Sequence, residues 1–220
     1  MPRKPTDIDV GALIDALPAS LAALARRGVA HPYAKGSILI EEGALGDTIY
    51  VILAGRLRAF SSNLQQDREI TYGTYGPGEY VGELGLDGGR RTASVMALEP
   101  SICAVVTRPT LQQHITEEPG FAFELLAKVI GRARTATLTA RQMVLNDVYG
   151  RLKLLLESLA GPADTDGWAR VERLTHRDIS ARVGCSREMV SRVMKDLEKG
   201  GHLKPEPQAL RLRLPLPARW

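Results

Sequence analysis

Two stretches of this 220-residue chain carry residue types spaced for chemistry. The first is Gly82-Glu83-Leu84-Gly85, followed by Arg90-Arg91-Thr92-Ala93. Glycines on both sides of Glu83 permit a turn that exposes backbone N–H groups, a usual device for holding anions. A buried arginine donates two parallel hydrogen bonds to a phosphate, and Thr92 adds a hydroxyl. Glu83 supplies an acceptor suited to a sugar hydroxyl. On the residues alone, this stretch reads equally as an anion site or as a turn closed by an Arg–Glu ion pair.

The second stretch spans 175–198. Thr175 is placed as a helix N-cap, with Asp178 three residues on as an acidic form of the capping box. Ile179 and Val183 point inward, and Gly184 suits a tight helix-to-helix turn needing positive φ. Ser186 caps a second helix that runs to about Lys199. Val190, Val193 and Leu197 share one face of it, and Arg187, Glu188, Ser191, Arg192 and Lys195 share the other. Arginine holds guanine O6 and N7 with two hydrogen bonds, and glutamate accepts from cytosine N4. Arg187, Glu188 and Arg192 thus form a set that reads base edges, with Lys195 on phosphate. The alternative is an ordinary surface helix of mixed charge, against which the cap, the turn glycine and the two-faced pattern all agree.

Both stretches need elements to position them. Residues 10–27 predict a helical lead-in, with Leu13, Leu17, Leu21 and Leu24 at helical spacing. Short β-rich runs at 37–40, 48–53, 56–60, 69–75, 94–97 and 102–106 alternate with glycine turns, which predicts a barrel or sandwich. After Pro119-Gly120, a long helix is expected over about 121–146. In it Leu126, Val129, Ala133, Ala136, Ala140 and Met143 alternate by three and four, the seam of a coiled coil. A helix laid on its own barrel is the alternative, but Arg132, Arg134 and Arg141 leave only a narrow apolar stripe. Residues 147–150 read as a hinge, 148–160 as an amphipathic helix and 161–167 as a loop. Residues 203–214 read as a small hairpin with Arg211 and Arg213 between leucines.

Composition narrows the function classes. The net charge is +4, but residues 148–220 hold 14 Lys/Arg against 9 Asp/Glu, while residues 1–147 hold 15 against 16. A basic C-terminal third on a nearly neutral body favours a polyanion partner for that end. No run reaches the ~20 apolar residues of a membrane span. Residues 1–9 lack the apolar core of a secretory signal, so a cytoplasmic location without a membrane partner is expected. Cys103 and Cys185 stand far apart with no metal-type spacing. No metal, haem or iron–sulfur cluster is expected, and His31, His114, His176 and His202 read as surface or structural. No Ser/His/Asp, Cys/His or metal constellation suggests an enzyme.

Taken in order, these residues resemble the cyclic-AMP receptor protein / fumarate-nitrate regulator (CRP/FNR) superfamily of bacterial transcription factors. The resemblance rests on Lys35-Gly36-x-Ile38-Leu39 through Gly55 and on Val81-Gly82-Glu83-Leu84-Gly85-Leu86 with Arg91-Thr92-Ala93. It also rests on Asp147-Val148-Tyr149-Gly150-Arg151 and on Val183-Gly184-Cys185-Ser186-Arg187-Glu188-x-Val190-x-Arg192. It implies an α+β chain: an N-terminal β-barrel of the double-stranded β-helix or jelly-roll, cyclic-nucleotide-binding type, a long dimerisation helix and a C-terminal winged helix-turn-helix. The implied domains are a sensor at 1–118, the dimerisation helix at 119–147 and a DNA-binding domain at 148–220.

The resemblance further implies a homodimer binding double-stranded DNA, and RNA polymerase as a further partner through the 161–167 loop. Arg91 and Thr92 would hold a cyclic phosphate, with Ala93 beside them. Gly82 and Glu83 would hold the ribose, with Leu84 next to them in the ligand-binding stretch. Arg187, Glu188 and Arg192 would read a TGTGA-like half-site, and Thr175 would contact phosphate. The chain departs from the pattern at the helix positions that read adenine, which are Ala136 and Thr137 here. Ala136 has no hydroxyl, so cyclic AMP, cyclic GMP and a cyclic dinucleotide all stay open as effectors. A constitutive regulator, and a nucleotide-binding subunit acting on a protein partner, are the other readings.

Overall fold

A computed structural model describes residues 9–63, 68–172 and 174–219. The first eight residues, on which the reading of the N-terminus rests, lie outside the described residues.

The helical lead-in is two helices, α1 (Val10–Asp15) and α2 (Ala19–Ala25), rather than one. Pro18 stands between them with ψ of 140°, an extended value that ends one helix and starts the next. The strands follow: β1 (Val29–Tyr33), β2 (Ile38–Ile40), β3 (Thr48–Ala54), β4 (Leu57–Asn63), β5 (Arg68–Tyr75), β6 (Tyr80–Val81), β7 (Ser94–Ala97) and β8 (Ser101–Thr107). They form two four-stranded sheets ordered β1-β8-β3-β6 and β2-β7-β4-β5. The β1 and β6 strands were not expected. Pro32 masked the first, and the second has only two residues.

The alternation along β3 shows how the barrel is covered. Ile49, Val51 and Leu53 join a core with Leu21 and Leu24 of α2, while Ile52 joins a second core with Leu57, Val95, Ala97 and Cys103. Successive side chains of a strand point to opposite faces, so β3 is buried on both. One face meets the helices and the other the barrel interior. The first core also takes in Leu111 of α3 (Arg108–Glu117), a helix the sequence reading missed. Its start is locally specified: Thr107 accepts from Thr110 N, and proline sits in the first turn where its missing N–H is harmless.

The long helix α4 spans Gly120–Leu145. It is followed by α5 (Val148–Leu159), β9 (Trp168–Glu172), α6 (His176–Val183), α7 (Arg187–Lys199), β10 (Leu203–Pro205) and β11 (Ala209–Arg213). The last three strands make one antiparallel sheet ordered β10-β11-β9. The expected hairpin therefore has a third strand, drawn from the end of the 161–167 loop. Leu152, Leu156, Val171, Ile179, Val190, Leu197 and Leu212 pack into the core of this region. On α7 the inward row is Val190, Met194 and Leu197, and Val193 is only half-buried.

The chain divides into two compact units. One holds the described residues up to Ser61 with Tyr72–Arg134, and the other holds those of 62–71 and 135–219. The division thus falls within α4.

Candidate ligand pocket and nucleic-acid interface

In the first unit, β6 leads into the Glu83 turn. Gly82 has φ of +96°, which a residue with a Cβ rarely adopts, and a short 3-10 turn follows over Glu83–Gly85. Arg91 returns beneath this turn and is 6% exposed. Its Nη1 donates to the Gly82 carbonyl at 2.6 Å, and its Nη2 to the Thr48 carbonyl and Oγ1 at 2.8 and 3.1 Å. Glycines make the room: a Cβ at Gly46, Gly82 or Gly85 would come within 2.9 to 3.0 Å of a guanidinium nitrogen. Of the five N–H donors of arginine, the three hydrogen bonds leave some unspent. Arg91 does not pair with Glu83, so the turn is not the Arg–Glu closure that the sequence left open.

Glu83 has a different partner. Its Oε2 meets Arg132 of α4 in an ion pair whose carboxylate side chain is 2% exposed. Arg132 also donates to the Tyr80 carbonyl and lies over the rings of Tyr75 and Tyr80, at 4.7 and 5.6 Å from their centroids. Glu83 Oε1 is buried without a hydrogen-bond partner among the described residues, as is the Tyr80 hydroxyl. Burial pushes the Tyr80 phenol up to about 12 against the opposing pull of Arg132, so it is a neutral donor at physiological pH. The turn and the strand before it thus offer one spare carboxylate oxygen and one spare hydroxyl.

Of the other predicted ligand residues, Leu84 and Thr92 are exposed next to the turn and Ala93 is half-buried. Ala136 and Thr137 are exposed on α4, in the other compact unit from Glu83 and Arg91. Tyr75, Tyr80, Gly46 and Thr48 are not singled out as site residues by the sequence, and Arg132 reads there only as a charge that narrows the helix stripe. Arg132 lies 52 residues from Tyr80, and no local spacing signals such a contact.

Along α4, Leu126, Ala133, Ala136 and Ala140 of the predicted seam are exposed, while Val129 and Met143 are half-buried in their own chain. The exposed stripe runs through Phe123, Leu126, Ile130, Ala133, Thr137, Ala140 and Val144, again alternating by three and four.

In the second unit, Thr175 and Asp178 form the reciprocal capping box, each side chain accepting from the other's backbone N–H at 3.1 Å. Gly184 ends α6 with φ of +71°. Ser186 caps α7 by accepting from Met189 N. Arg187, Glu188, Ser191, Arg192 and Lys195 are exposed and line one shallow groove. None of the five is engaged in an ion pair among the described residues. The groove is a preformed row of three cations, one carboxylate and one hydroxyl along the outer face of a helix that sits on its own core.

Burial holds the Cys103 thiol up at about 12 and raises that of Cys185, so both are neutral. Among the described residues, no group of three or more His, Cys, Asp or Glu is placed to hold a metal ion, and no helix is long and apolar enough to cross a membrane.

Comparison with known proteins adds to this geometry. Residues 30–118 match the family model for the cyclic nucleotide-binding domain, and residues 173–203 match that for bacterial regulatory proteins of the crp family. The chain is 31% identical over 187 residues to the cyclic AMP receptor protein of Thermus thermophilus, covering 82% of each. It is 30% identical over 174 residues to the cAMP-activated global transcriptional regulator CRP of Escherichia coli O157:H7, covering 76% of this chain and 81% of that one. Among solved structures, it is similar in fold to the c-di-GMP responsive global regulator CLP of Xanthomonas campestris. That match has a TM-score of 0.76 at 23% identity and covers 88% of this chain and 97% of that one. A CooA mutant from Carboxydothermus hydrogenoformans matches with a TM-score of 0.70 at 20% identity, over 94% of this chain and 92% of that one.

Proposed function

Since the chain belongs to the CRP/FNR superfamily of bacterial transcription regulators, we propose that it is a homodimeric DNA-binding regulator controlled by a cyclic nucleotide in its barrel. The observation that carries the sensing half is the buried Glu83, with an unpartnered Oε1, beside a glycine-packed Arg91. A buried acceptor without a donor is costly, and a ribose 2′-hydroxyl is a donor of the right size to satisfy it. Gly82 and Glu83 would hold the ribose, and Arg91 and Thr92 the cyclic phosphate, with Leu84 and Ala93 flanking. By the family resemblance, Thr137 of the paired helix in a dimer would meet the base, with Ala136 beside it. With no hydroxyl at Ala136, discrimination for adenine is weakened, so cyclic GMP and a cyclic dinucleotide stand as alternatives to cyclic AMP.

For DNA, α7 would enter the major groove with Arg187, Glu188, Ser191 and Arg192 towards base edges, and Ser186, Thr175 and Lys195 towards phosphates. A palindromic, TGTGA-like operator fits this set. Paired α4 helices would set two copies of α7 about 34 Å apart, one turn of DNA. The effector acts only through its preference for that arrangement, since a ligand that binds both states equally shifts neither. RNA polymerase is a further proposed partner, through the 161–167 loop.

Calorimetric titration with cyclic AMP, cyclic GMP and cyclic di-GMP tests the sensing half. Wild type is expected to bind at least one of them, and Glu83→Gln and Arg91→Lys, which preserve bulk, to bind it at least tenfold more weakly. No binding by wild type, or equal binding by both variants, would overturn it. A second reading, a constitutive regulator, has its own support: Arg132 already neutralises Glu83, and Arg91 already has three acceptors. It predicts operator binding that no nucleotide alters.

A further inference from the structure

Arg151 sits in the first turn of α5, four residues after the N-cap Asp147. Its Nη1 donates to the Asn146 carbonyl at 2.8 Å, and its Nε donates to the Val183 carbonyl at 2.9 Å. Asn146 directly follows α4, and Val183 is the last residue of α6. Both carbonyls therefore belong to helix C-terminal ends, where acceptors lack intrahelical donors and the helix dipole is negative. One guanidinium satisfies both. The same two segments meet a second time, because a Cβ on Gly184 would come within 2.6 Å of Met143 Cε. Gly184 is the turn from which α7, with its groove-lining arginines, departs.

We propose that Arg151 is a positioning residue that clasps the end of α4 to the α6–α7 turn, so that the direction taken by α4 is passed to the reading helix. The planar fork of arginine fixes the angle between its two acceptors. A lysine ammonium has no such fork and would keep attraction without angle. Asp147 sharpens the arrangement: its Oδ1 accepts from Gly150 N at 2.7 Å, which fixes the start of α5 and so the base of the Arg151 side chain. The functional part of this assignment rests on the proposed control of DNA binding through α4.

The test uses the full chain with Arg151→Lys and Arg151→Met, and with Met143→Ala as a second lesion of the same junction. Amide hydrogen exchange without nucleotide is expected to rise by about tenfold at both 146–150 and 183–186 in Arg151→Met, because the clasp links them. In parallel, anisotropy with a TGTGA palindrome gives the ratio of DNA Kd without and with cyclic AMP. In both Arg151 variants that ratio is expected to collapse towards one, while cyclic AMP still binds within about twofold of wild type. Exchange that rises at one segment alone, or at neither, overturns the clasp. A preserved ratio despite raised exchange shows a brace without a positioning role, which also overturns it. If wild type itself shows a ratio of one with every nucleotide, the sensing proposal has failed and exchange alone decides the clasp. Should Arg151→Met not fold, Arg151→Lys and Met143→Ala carry the same readouts.

Discussion

The arginines of the barrel and those of α7 are put to opposite uses. Arg91 is 6% exposed and is held by Gly82 and Thr48, and Arg132 is tied to Glu83 and stacked on two tyrosines. Arg187 and Arg192 stand exposed along an open groove, with no ion-pair partner among the described residues. The α7 surface thus carries its cations unengaged, whereas the barrel arginines are already engaged, with Glu83 Oε1, the Tyr80 hydroxyl and some Arg91 N–H groups left over. A ready cationic surface gives strong, salt-dependent attraction. Because Arg132 of α4 holds Glu83, a change at that ion pair would be felt by both the helix and the turn.

The contrast is sharpest in what alanine does at each place. Arg91→Ala strips donors from two half-buried carbonyls and leaves a void where the guanidinium lay, and is expected to cost about 3 kcal/mol of stability, seen as a lower midpoint in denaturant. Arg187→Ala is expected to leave the midpoint within ~0.5 kcal/mol while weakening operator binding by roughly 1–3 kcal/mol in a titration. Equal stability losses at the two sites would erase the distinction. Gly46→Ala comes next: its Cβ would press on the Arg91 guanidinium at 2.9 Å, and about 1–3 kcal/mol of overpacking is expected. Gly76→Ala, with open space and no positive φ, serves as the control for an added methyl alone. The two losses coming out equal would show that the cradle is not tight.

Smaller effects refine the picture. Lys195→Ala should lower the slope of log affinity against log salt by about two for a dimer, one for each phosphate released, with no change in base preference. His114 gives a pH dependence confined to the barrel unit. The ring is 1% exposed, stacks edge-on against Phe121 and has both nitrogens without partners among the described residues. Burial lowers its pKa below the ordinary 6.5, helped by Arg27 and opposed by Glu118, Glu117 and Glu124. The unfolded chain then binds the proton more readily, so this stabilisation is complete above 6.5 and is lost as pH falls below it. His114→Leu should flatten melting temperature against pH in that window, and an unchanged slope would remove His114 from the account.

What could be read in advance follows the range of the forces involved. The helix-turn-helix is specified locally, by Thr175 with Asp178, by Gly184 and by Ser186, so its bounds and exposed face emerge from a two-dozen-residue window. The Glu83 turn announces itself through its glycines, but its partner does not: Arg132 looks from its neighbours like a charge limiting a helix stripe. The helix α3 and strand β1 were hidden for a related reason. Each carries a proline that weakens the local pattern, yet Pro109 sits in a first turn and Pro32 in an edge strand, where a missing N–H costs little. The adoption of Met194 rather than Val193 into the core is a tertiary choice between adjacent positions on one helix.

The spare oxygen of Glu83 is tested most directly by titrating wild type calorimetrically with cyclic AMP and with its 2′-deoxy analogue. The geometry predicts that the deoxy compound binds at least tenfold more weakly and that Glu83→Gln removes most of that difference. Indistinguishable affinities for the two compounds in wild type would contradict a ribose held at Glu83.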